Sequence, residues 1–94
     1  SKPQVTEETL IVSSLRLDGI VAKLYPISRS QSLLLFREKK VFVDGRCMEN
    51  NSGICKEGSI VSVRGYGRFV YQGLVHETKK GNLSIQIGRY GGVH

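Results

Sequence analysis

Arg16, Arg29, Arg37, Lys39 and Lys40 are the residues of this sequence best placed for chemistry, and the chemistry is neutralisation of phosphate. Phosphate contacts supply most of the affinity of a nucleic-acid binder and little of its sequence preference. Seven of the fourteen lysines and arginines lie between Arg16 and Arg46, opposed there only by Asp18, Glu38 and Asp44. On a helix at 100° per residue, Arg29, Arg37 and Lys40 fall within an arc of about 80°. Arg29 also follows Ser28 and precedes Ser30 at a helix start, where free backbone amides favour an anion. Arg16 either pairs with Asp18 or touches the same ligand. A second basic block, 58–94, carries Arg64 and Arg68 in a glycine corner and Lys79 and Lys80 at a turn. The blocks between and before, 47–57 and 1–15, are slightly acidic, so the net +6 is clustered rather than evenly spread. Clustered basic charge suits nucleic acid or an anionic surface.

Other chemistry finds little footing. His76 and His94 are the only histidines, and neither has a serine or cysteine partner at a recognisable spacing. No nucleophile–base constellation and no carboxylate cluster is present, so no catalytic residue, metal or cofactor is expected, and no small-molecule substrate. Cys47 and Cys55 lack paired C-x-x-C spacing. Two reduced thiols are expected, with a strand-to-loop disulfide as the alternative. No stretch approaches the roughly 18 apolar residues of a membrane span, and there is no signal peptide, which points to the cytoplasm and away from membranes. Residues 64–71, RGYGRFVY, mimic the RNP1 octamer, but Arg68 displaces the aromatic and the β-α-β-β-α-β order is missing. Tyr66 can stack on a base or pack within its loop. Gly65-x-Gly67 lacks the third glycine and the following helix of a nucleotide loop.

The elements that must hold these residues come in a simple order. Residues 1–8 are polar and expected to fray, and Thr9–Val12 reads as a strand or extended lead-in. Ser13 or Ser14 can cap a first helix whose Leu17, Ile20, Val21 and Leu24 form one apolar stripe. Gly19 weakens that helix, and Tyr25-Pro26 ends it. Ser28 and Gln31 form a capping-box pattern for a second helix, with Ser32, Leu35 and Phe36 facing the core. Leu33 and Leu34 either complete a broad buried face or meet an absent neighbour. Val41–Val43, Asp44-Gly45 and Arg46-Cys47 spell a hairpin with a type I′ turn. Strands follow at 59–63, 69–71 and 83–87, the last with clean alternation. Helices first and strands after give an α+β fold, with two short helices packed on a small curved, mostly antiparallel sheet.

Ser14-Leu15-Arg16-Leu17-Asp18, Ser28-Arg29-Ser30-Gln31 and Val41-Phe42-Val43-Asp44-Gly45 together resemble the S-four RNA-binding domain, named for a small-subunit ribosomal protein. The three motifs sit in register over about 30 residues, with the αL-type helix pair that the family carries. The resemblance implies that the second helix and the following strand and turn meet RNA, and it assigns the core to residues 12–65. Gly58–Phe69 and Thr78–Gly81 extend the likeness to the C-terminal domain of the YlmH family. That extension implies a β-rich addition at 66–94, a single domain excised from a longer protein with an N-terminal part missing, and contact with ribosomal RNA, plausible on the large subunit. Lys39 stands where the family has glycine, and Asp44 where it has asparagine. The RNA-contacting set expected from the residues and the resemblance together is Arg16, Ser28, Arg29, Ser30, Arg37, Lys39, Lys40, Arg64, Arg68, Lys79 and Lys80.

The function expected is non-catalytic docking on structured RNA, in translation or ribosome quality control. Two other readings stay open: a targeting appendage of an rRNA-modifying enzyme (a pseudouridine synthase or methyltransferase), or a protein-interaction module using Leu33 and Leu34.

Overall fold

Leu17, Ile20, Val21 and Leu24 are all at most 2% exposed, so the apolar stripe of the first helix is its core face. The computed structural model describes residues 5–90. Its elements are β1 (Val5–Val12), α1 (Leu17–Leu24), α2 (Arg29–Arg37), β2 (Val41–Val43), β3 (Arg46–Cys47), β4 (Ile60–Val63), β5 (Gly67–Glu77) and β6 (Leu83–Tyr90). The strands make one sheet of order β1-β6-β5-β4-β2-β3 in which every neighbouring pair is antiparallel. Both helices bury their apolar sides against one face, with Leu35 and Phe36 joining Val41, Val61, Val63, Phe69, Tyr71, Ile85 and Ile87 in a single core. This is the α+β architecture that the order of elements suggested.

Two spans differ from expectation. Val5–Glu8 do not fray: they pair with Tyr90–Ile87 as the first half of β1, and Arg89 clasps the Glu8 carboxylate. Their partner lies at the other end of the chain, so nothing local in the sequence announces the strand. Residues 1–4, and His94 with them, lie outside the described residues. β5 is also far longer than 69–71, because register shifts after Tyr71 and Leu74 carry the pairing with β6 on to Glu77.

The hairpin formed as anticipated. Phe42 pairs with Cys47 and Val43 with Arg46, leaving Asp44 (φ 51°) and Gly45 (φ 85°) as the two turn residues. Asp44 is also tied inward, since its carboxylate accepts from the amide of Ile60 at 2.9 Å. Cys47 is exposed and Cys55 buried, both as free thiols, and burial pushes the Cys55 thiol up to about 12.

Candidate nucleic-acid interface

Asp18 is fully buried at the start of α1, and its carboxylate gathers two arginines and an asparagine. Arg16 donates to Oδ2 at 2.9 Å, Asn51 donates to the same oxygen at 2.9 Å, and Arg29 reaches Oδ1 at 3.4 Å. Burial alone would raise the carboxyl's pKa. The bonds from Asn51 and Arg16 and the charge of Arg29 outweigh it, so the group is held below its ordinary value. One carboxylate thus serves two guanidinium groups, which stay about half exposed and leave a net positive charge at the surface. The pairing of Arg16 with Asp18 and the exposure of its head are therefore compatible.

The cap expected from Ser13 or Ser14 is not formed. Arg16 occupies the N-cap position with no side-chain cap bond. Leu17 and Asp18 instead donate their amides to the carbonyls of Gly53 and Asn51, at 2.9 and 3.1 Å. A loop far downstream closes this helix end, where no short-range pattern could reveal it. Asn51, whose sequence neighbourhood gives no sign of this role, is thereby part of the arginine mount.

At α2 the Ser28 cap is present: its Oγ accepts from the amide of Gln31 at 3.0 Å. Ser30 lies exposed on the first turn and shares a shallow groove with Leu33, Leu34 and Arg37. Leu33 and Leu34 are 41% and 37% exposed, so the broad buried face is excluded. Ser32 is held inside by a 2.8 Å bond to the Asp18 carbonyl, which locks α2 to α1. The 80° arc needs correcting. The helix ends at Arg37, so Arg29 and Arg37 share its surface while Lys40 lies beyond the turn that breaks it. Lys40 pairs with Glu38 at 3.2 Å, both about half exposed. Such exposed pairs are worth only about 0–1 kcal/mol and yield readily to a better anion.

Lys39 adopts φ 60°, the left-handed conformation usually given to glycine. The amides of Lys39 and Lys40 donate to Phe36 and Leu35 at 3.1 and 2.9 Å, completing a Schellman closure with lysine in the glycine position. Lys39→Gly is accordingly expected to raise stability by about 0.5–1 kcal/mol, read as a higher urea midpoint at unchanged slope.

The remaining candidates divide. The backbone of Arg64 joins the end of α2, its amide donating to the Lys40 carbonyl at 2.9 Å, while its guanidinium rests on Phe42, on the sheet face away from the helices. Arg68 lies on that same face. Its neighbour Phe69 is in the core, so alternation turns Arg68 to the sheet face away from the helices, where it covers Tyr90. Tyr66 packs against Tyr25, with ring centres 5.5 Å apart, and keeps 41% of its surface exposed. Lys79 and Lys80 occupy the β5–β6 turn, at the other end of β5 from Arg64. Asn82, which closes that turn on Thr78, shares a groove with Arg29. His76 is exposed on β5. Among the described residues no group of three or more possible metal ligands occurs, and no helix is long and apolar enough to cross a membrane.

No family model matches the chain. Among characterised proteins, it is similar to the ribosome-associated protein quality control protein P2 of Bacillus subtilis (strain 168). The two are 36% identical over 78 residues, covering 83% of this chain and 30% of the relative. The chain therefore spans less than a third of that relative's length.

Proposed function

We propose that this chain is a non-catalytic RNA-binding module of the S-four type, equivalent to the C-terminal domain of a YlmH-type protein, and that its target is ribosomal RNA. The observation that carries the reading is the paired mounting of Arg16 and Arg29 on the buried Asp18. Guanidinium groups held by a fixed carboxylate lose little freedom on meeting a phosphate, so the contact is pre-organised. Arg37, Lys39 and Lys40 extend the basic surface from the other end of α2, and Arg64, next to Lys40, carries charge onto the outer sheet face. Helical RNA is recognised largely by shape and backbone, which suits such a surface. The similarity to a protein described as ribosome-associated supports the ribosomal assignment, and with it a role in translation quality control in the cytoplasm. Ser28 and Ser30 contribute the helix start, while Arg68, Lys79 and Lys80 offer backbone contacts from outlying positions.

Filter binding to a structured rRNA fragment tests this. With about four phosphates engaged, log affinity falls with log salt at a slope of about 3–4. Arg37→Glu with Lys40→Glu, both exposed, should lower that slope by about 2 and affinity by about a hundredfold. Lys39→Gly should weaken binding while stabilising the fold. Salt-independent binding, or unchanged affinity in the double variant, would defeat the proposal. A second reading, docking of another protein or domain, is favoured by the exposure of Leu33 and Leu34 and predicts that Leu33→Ser with Leu34→Ser spares RNA binding.

A further inference from the structure

A groove of about 410 Å³ runs between the end of β1, α1 and the β5–β6 turn, a size within the range of small-ligand sites. Its floor is apolar, formed by Ile11, Ala22 and Ile27. Two cations, Lys23 and Arg29, stand in its wall, and Ser13 and Asn82 add a hydroxyl and an amide. Among the described residues no acidic side chain lines it. The carboxylate that holds Arg29, Asp18, is buried and already bound to three partners. Gly19 belongs to the same wall: a Cβ there would stand 3.7 Å from Nη1 of Arg29, so the bare backbone is where the guanidinium lies against α1. A helix glycine costing up to about 1 kcal/mol relative to alanine thus coincides with the groove's wall.

We infer that this groove binds one unpaired nucleotide, with the base on the apolar floor and the phosphate between Lys23 and Arg29. A bare phosphate would leave the floor unused, and an apolar ligand would leave Lys23 and the exposed side of the Arg29 guanidinium unanswered. A base edge has donors and acceptors for Ser13 and Asn82, and the volume suits one nucleotide rather than a duplex. The source is a nucleotide of the docked RNA or a free one; the first rests on the RNA-docking reading, the second does not. Lys23 has no part in the docking surface described above, which lets the two be separated.

The test is an amide-resolved NMR titration of the protein with AMP, adenosine and inorganic phosphate, alongside binding of an RNA hairpin with and without a three-nucleotide overhang. AMP should shift the Gly19, Lys23 and Asn82 amides saturably, with adenosine and phosphate each at least about tenfold weaker. Lys23→Glu, at an exposed position, should weaken AMP about tenfold and erase any gain from the overhang, leaving the blunt hairpin within about twofold. An overhang that adds affinity identifies the RNA strand as the source. AMP binding in the groove with no overhang gain supports a free nucleotide. Phosphate binding as tightly as AMP, shifts confined to other surfaces, or indifference to Lys23→Glu would overturn the inference. Should the blunt hairpin bind while AMP leaves these amides unmoved, the groove fails and the docking reading stands. If AMP fills the groove and no RNA binds, the reverse holds.

Discussion

Asp18→Ala is expected to cost about 2–4 kcal/mol, a large share of the roughly 5–15 kcal/mol that holds a small domain folded. The carboxylate is fully buried and joins the start of α1 to Asn51 in the 50–53 loop and to both arginines. The arginines are half exposed and regain water when released, which keeps the loss below that of a wholly buried pair. Asp18→Asn keeps the shape and removes the charge, so it separates two effects. It raises the net charge by one, which by long-range attraction alone would tighten RNA binding. Loss of the arginine mount acts the other way, and a net weakening of severalfold is expected. Tighter binding by Asp18→Asn would show that the mount is irrelevant to RNA. The pH dependence follows the same group. Its folded pKa is depressed, so its contribution is complete above the unfolded value near about 4 and is lost as pH falls through the folded value. Chemical denaturation between pH 7 and 2 should show the wild type losing its advantage over Asp18→Asn in acid.

A fragment of residues 1–65 is expected not to fold. It would lack Phe69, Tyr71, Ile85 and Ile87, all at most 3% exposed in the shared core. Deleting one such side chain costs about 2–5 kcal/mol, so losing four exceeds the whole stability of a small domain. β1 would also lose β6, the strand it pairs with in the sheet. Circular dichroism and dispersion of amide resonances read the outcome directly. Cooperative unfolding by the fragment would mean that the helices and β2–β4 suffice.

Patterns whose cause lies within a few residues were legible in the sequence. The stripe of α1, the Ser28 cap, the stop at Tyr25-Pro26 and the Asp44-Gly45 turn depend on local backbone preference and helical period, and each is in the structure. The α+β order of elements and the basic character of the 16–46 stretch belong with them. What failed was whatever needed a distant partner. Val5–Glu8 read as fraying because β6 lies at the far end of the chain, and the α1 cap was sought in Ser13 or Ser14 because Asn51 and Gly53 carry no local sign of their task. The arc of Arg29, Arg37 and Lys40 assumed a helix that continued, yet the left-handed turn at Lys39 ended it first.

Taken alone, then, the sequence determined which charges are present, which helices and turns form, and which side of each helix is apolar. Only the tertiary structure decided that one buried carboxylate holds two arginines together, that Arg64 and Arg68 share the sheet face away from the helices, and that an apolar groove opens beside Arg29. The reason is physical. Backbone preferences act over three or four residues, whereas the environment of a charge depends on everything folded around it, from any distance along the chain.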